Sequence, residues 1–259
     1  MDGKIFTIGV LILIFGSESV KGGQKTVFFS TPGYVYEFSS HAFLEENTHS
    51  DRKPRVLYLI DHQEKRITIR SYIYPAKPGP RHRRALKDIS DYWNQQSEKF
   101  FLRLRKGLKK VDYLIYFDLR VPEGYFDKNG FYVFQRPISG KYLNQVDIVS
   151  PDQMPKLSNK DNQQVRILGY APPNFIYLAD THLDQPLIAA HEMGHQMGLG
   201  HVYSGIMASE LSGLDNSLNK KSLRHLIESP EFLNQFQKGL SPRRYQLFLQ
   251  GKIKIKRHR

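Results

Sequence analysis

The segment His191-Glu192-Met193-Gly194-His195-Gln196-Met197-Gly198-Leu199-Gly200-His201 constrains this chain more than any other stretch of it. On a helix, His191 and His195 are four residues apart, so both imidazoles leave the same face and can share a metal. Glu192 then projects about 100° around the axis, close enough to reach a metal-bound water without being a ligand itself. Gly198, three residues after His195, lacks a Cβ and can take the positive φ that ends a helix abruptly. The chain can then turn back and deliver His201 as a third ligand. Three protein ligands leave a fourth position open, as catalytic rather than closed structural sites do. Five fixed positions at about one in twenty each make a chance match in this chain roughly a one-in-ten-thousand event. The alternative, ordinary polar histidines on an amphipathic helix, is therefore set aside.

This pattern, HExxHxxGxxH, resembles the signature of the metzincin clan of zinc endopeptidases, which continues into a methionine-bearing turn beneath the metal. Here Ser204-Gly205-Ile206-Met207-Ala208-Ser209 follows His201. The resemblance implies zinc held by His191, His195 and His201, Glu192 as general base, and Met207 as the floor of the site. It also implies an α+β fold: a twisted mixed sheet, a long helix, a zinc-binding active-site helix and a smaller, mainly helical C-terminal subdomain. The stretch from Leu168-Gly169-Tyr170-Ala171 to Ile188-Ala189-Ala190-His191 looks most like the matrix-metalloprotease branch. The resemblance spans roughly residues 65 to 210. Departures mark a divergent member: Val202 follows the third histidine, and Ser209 stands where astacin-like members place a tyrosine. Tyr203 has no role beyond packing or lining the cleft. The chain has no cysteine, so latency by a cysteine switch is impossible.

The wider pattern agrees with that order of elements. Arg66 to Tyr74 alternates apolar and polar residues as a half-buried strand, and Val56–Ile60 is expected to pair with it as a hairpin. Arg83 to Leu104 is rich in helix formers, with Leu86, Ile89, Tyr92, Trp93 and Phe100 on one apolar stripe. Val111–Val121, Phe131–Gln135, Gln145–Val149, Val165–Tyr170 and Phe175–Ala179 are strand candidates. Asp184 is a candidate cap for the histidine-bearing helix, with Pro186 in its first turn. Ala190, Met193, Gly194 and Met197 favour close packing of that helix. His182 and Asp184 are two polar loop residues, so a second metal is not expected. Ser217–Ser229 and Glu231–Lys238 read as helices, and Ser241-Pro242 as the start of another.

At the N-terminus, Lys4, the apolar run Ile5 to Phe15, and Ser17 and Ser19 form a secretory-signal pattern with cleavage after Ser19. The run is too short to span a bilayer, and no other stretch approaches that length. An exported, extracellular or periplasmic protein is expected, stabilised by its core without disulfides. Residues 20–52 form an N-terminal extension, either a pro-segment or extra strands with candidates at Thr26–Ser30 and Tyr34–Phe38. Residues 53–259 form the catalytic domain, with an upper subdomain to about 200 and a lower one over 201–259.

Lys and Arg outnumber Asp and Glu by 38 to 25, a net charge of +13. The excess gathers at Arg81–Arg84, Arg103–Lys110 and the tail Lys252–Arg259, which could also fray as chain ends do. Such a field favours an anionic surface or polysaccharide. Nucleic acid is not expected, since export removes that target and no binding motif is present. The function these features imply is an exported, monomeric zinc endopeptidase that hydrolyses extended protein or peptide substrates. The rival is a basic surface- or polyanion-binding protein that keeps the scaffold with little turnover.

Overall fold

A computed structural model describes residues 26–31, 34–39, 54–154, 157–158, 164–165, 167–202, 204–208, 214–241, 243–244 and 252–258. Residues 1–19, where a secretory signal is expected, lie outside the described residues, as do Tyr203 and Ser209. Strands β1 (Thr26–Thr31) and β2 (Tyr34–Ser39) form a hairpin of their own, with Thr26 opposite Ser39. The main body then runs β3 (Leu57–Asp61), β4 (Arg66–Pro75), α1 (Pro80–Asn94), β5 (Phe100–Lys106) and β6 (Lys109–Arg120). A small hairpin, β7 (Gly124–Phe126) and β8 (Tyr132–Phe134), leads to β9 (Leu143–Val149). The short pair β10 (Leu157–Ser158) and β11 (Gln164–Val165) precedes β12 (Gly169–Tyr170), β13 (Phe175–Ala179) and α2 (Pro186–Gln196). Helices α3 (Lys220–Glu228) and α4 (Pro230–Gln237) and strand β14 (Lys252–Arg257) complete the chain.

Eight strands make one mixed sheet in the order β12-β13-β9-β4-β6-β5-β14, with β3 alongside β4. The central pairs β13–β9, β9–β4 and β4–β6 are parallel, and the pairs at both ends are antiparallel. The alternation read in β4 sends Ile67, Ile69 and Ile73 into the core, all fully buried. They meet Leu102, Leu104, Tyr113 and Ile115 from neighbouring strands and Leu86, Ile89 and Trp93 from α1. The same cluster holds Leu223, Leu226, Phe232 and Phe236 of α3 and α4. The Tyr58 hydroxyl, on β3, donates to the Leu226 carbonyl at 3.0 Å and its ring meets Phe232 edge-on. The C-terminal helices thus share the core of the sheet. No helix among the described residues is long and apolar enough to cross a membrane.

Several local expectations are corrected. The helix expected to run to Leu104 stops at Asn94, because its end is drawn into the sheet. Asn94 accepts from the Leu119 amide at 2.8 Å and donates to its carbonyl, and Ser97 bridges the Phe117 amide and carbonyl in the same way. Phe100, Leu102 and Leu104 then alternate into the core as a strand. The tail does not fray: Lys252–Arg257 pairs antiparallel with Phe100–Arg105 along the whole of β14. The strand expected over Val165–Tyr170 is two separate pieces. The helix expected over Ser217–Ser229 is shorter, Lys220–Glu228, with Asn219 as its cap, and Ser229 caps α4. Ser241 accepts from the Arg244 amide, as its capping role requires, while Pro242 and residues 245–250 lie outside the described part.

Candidate metal centre

Helix α2 starts where proline lets it. Pro186 occupies the first turn, Gln185 stands at the cap position without a side-chain cap bond, and Asp184 is exposed one residue too early to serve. The expected Asp184 cap is therefore wrong. Proline presets φ and has no amide to satisfy, so the start needs no side-chain acceptor there.

The other end of α2 closes as expected. Gly198 takes φ 89°, and its amide donates to the His195 carbonyl at 2.9 Å. The Leu199 amide reaches back to the Gly194 carbonyl, also at 2.9 Å. This pair of bonds is the Schellman closure, which caps the helix and reverses the chain. The reversal brings His201 beside His191 and His195.

The three Nε2 atoms converge, 3.0 Å apart for His191–His195, 3.1 Å for His195–His201 and 3.3 Å for His191–His201. Backbone carbonyls hold two of the rings by their other nitrogens: His191 Nδ1 donates to Ile206 at 2.7 Å and His195 Nδ1 to Leu199 at 3.0 Å. A carbonyl can only accept, so both rings carry a proton on Nδ1, and the neutral form of each keeps a bare lone pair on Nε2. Lone pairs that close repel unless a cation lies between them. Tetrahedral ligands at roughly 2.0–2.1 Å from a metal stand about 3.3 Å apart, so the spacing fits. Burial pushes the His191 pKa down to about 4, helped by His201 and opposed by the Ile206 carbonyl. That keeps the imidazole neutral and able to ligate at ordinary pH. The trio could hold a metal ion.

Glu192 is buried at 7% exposure, and its side chain lies against the backbone of Gly169 on β12. A Cβ at Gly169 would come within 2.6 Å of the Glu192 Cγ and Oε1, so only glycine leaves the carboxylate its present place. Met207 is fully buried, its sulfur packed where α2 offers no side chain at Gly194. Its own turn is tied down: the Met207 carbonyl accepts from the Val202 amide at 2.8 Å, and Ile206 donates to the Ser217 carbonyl at 2.8 Å. One turn thus both fills the space under the helix and orients His191.

Three supports were not visible as such in the sequence. Trp93, fully buried on α1, donates its indole N–H to the Ala190 carbonyl at 3.0 Å, one residue before His191. Gln196 donates to the Pro172 and Phe175 carbonyls and accepts from the Asn174 amide, joining the end of α2 to the loop before β13. Gly169 is the third. Only Trp93, as the single tryptophan on an apolar stripe, carried a hint of special use.

Compared with known proteins, the chain matches no family model. Its sequence likewise finds no match among curated proteins.

Proposed function

We propose that this protein is an exported zinc-dependent endopeptidase of the metzincin type, acting on extended polypeptides. The observation that carries the proposal is the convergence of three imidazole Nε2 atoms, with the buried Glu192 directly following the first of them in the chain. Neutral imidazoles suit zinc among other transition metals, and three of them with an open position suit zinc in hydrolysis. Zinc held there would supply a Lewis acid for the scissile carbonyl and a water acidified toward neutrality. His191, His195 and His201 are the ligands, and the Ile206 and Leu199 carbonyls fix the first two as outer partners do in metal sites. Glu192 takes a proton from the attacking water and returns it to the leaving amine. Met207 supports the ligands from beneath. A carboxylate beside a ligand has no purpose in a purely structural site, which disfavours the rival role of a polyanion-binding scaffold with little turnover.

The test pairs peptide turnover with zinc content on one preparation. Glu192→Ala should keep its zinc and lose turnover by about 10²–10⁴ or more, the usual worth of acid–base assistance. His195→Ala should lose tightly bound zinc. Near-normal turnover by a zinc-loaded Glu192→Ala protein would disprove the mechanism, and full zinc retention by His195→Ala the ligand set.

A further inference from the structure

We infer that the tip of the β5–β6 hairpin anchors this protein to the surface of an anionic lipid bilayer. The register of the two strands ends with Lys106 opposite Lys109, leaving a two-residue turn, Gly107–Leu108. Gly107 takes φ 58°, the conformation such hairpin turns require at their first position. Nothing in the turn requires an apolar side chain at the second position. Leu108 nevertheless stands there 97% exposed, well beyond the next large apolar side chain among the described residues, Tyr125 at 58%. A leucine so placed contributes nothing to the core, and it stands at the tip of the hairpin.

The surroundings of that tip are cationic. Arg105, Lys109 and Lys110 are exposed on the hairpin itself. Strand β14 runs beside it, setting exposed Lys254 opposite Arg103 and leaving Ile253 at 38% exposure. The nearest carboxylate on β6, Asp112, is gripped by Arg103 through two bonds of 2.7 Å. Among the described residues no ion pair engages Arg105, Lys109, Lys110 or Lys254. An apolar point within a ring of unneutralised cations matches a surface that offers hydrocarbon and phosphate together. One apolar insertion plus several basic side chains is the two-signal arrangement that gives reversible membrane attachment. A soluble polysaccharide would answer the cations but give Leu108 no role. The hairpin lies by β14 at one end of the sheet, whereas Glu192 lies against β12 at the other. Attachment through the tip leaves the histidine cluster away from the membrane.

The experiment is cosedimentation of the protein with vesicles of phosphatidylcholine alone and of phosphatidylcholine with phosphatidylglycerol, beside binding to soluble heparin. The wild type should bind the anionic vesicles and not the neutral ones. Leu108→Ser should weaken vesicle binding about tenfold or more, as loss of one buried leucine implies, and leave heparin binding unchanged. The double variant Lys109→Glu with Lys110→Glu should lose vesicle binding. Leu108→Trp adds an indole to a chain whose single tryptophan, Trp93, is fully buried. Its emission should shift to the blue on anionic vesicles and be quenched by brominated lipid. Equal vesicle binding by wild type and Leu108→Ser, or a Leu108→Trp emission unmoved by vesicles, would overturn the anchor and leave a basic face for soluble polyanions.

Discussion

Burial pushes the His191 imidazole from its ordinary 6.5 down to about 4 in the metal-free protein, and this has a consequence for stability. In the unfolded chain the same ring protonates near 6.5, so between that pH and about 4 the unfolded state binds a proton the folded state refuses. Linkage then makes stability highest above about 6.5, falling as the pH drops through that window and levelling below it. The loss amounts to about 3 kcal/mol at most, the worth of moving the pKa from 6.5 to about 4. Thermal unfolding of chelator-treated protein across this range, beside His191→Gln, measures it. The variant should show a flatter profile, and identical slopes would mean that the ring is not held neutral by burial. The residue scale is also where the sequence was most legible. The convergence of His191, His195 and His201 follows from a spacing of four on a helix and a glycine turn, both properties of nearby residues. What escaped were groups that act across the fold: the Gly169 backbone that makes room for Glu192, and the Trp93 indole on the Ala190 carbonyl.

Among the elements, β14 departs furthest from expectation. A basic stretch at a chain end reads as solvated, yet Ile253 and Ile255 fall opposite Leu104 and Leu102, and Lys254 between them is exposed. Its pairing covers β5, whose Phe100, Leu102 and Leu104 are all within 3% of complete burial. A chain ending before Lys252 should lose roughly 2–4 kcal/mol from apolar exposure and present a bare strand prone to self-association. Calorimetry and light scattering on that truncation would show it. An unchanged melting temperature with a monomeric protein would show that the strand contributes nothing. Helix α1 teaches the same point in reverse. Its formers continue past Asn94, but hydrogen bonds from Asn94 and Ser97 to β6 outweigh propensity, which is a weak preference of tenths of a kcal/mol per residue.

At the scale of the whole molecule, one core joins the sheet, α1, α2 and the C-terminal helices, and it must suffice without disulfides because the chain has no cysteine. That independence from disulfides is compatible with either side of a membrane, so the export proposal rests on the leader pattern of residues 1–19. Sequencing the N-terminus of protein recovered outside the cytoplasm should begin near Val20. Intact Met1 in a soluble cytoplasmic fraction would overturn export while leaving the proposed metal site untouched.

The three imidazoles, the carboxylate that follows the first, the turn at Gly198 and the alternation of the central strands are all legible before the chain folds. Each is written in residues a few positions apart, where helical and strand periods translate directly into geometry. Where α1 stops, and that the basic tail completes the sheet, are set by contacts made on folding. So are the seating of Met207 in the gap at Gly194 and the bare position of Leu108 among cations. Where a partner is involved it lies well beyond one helical or strand period, and no local period records which distant backbone will supply the missing hydrogen bond or the missing cover.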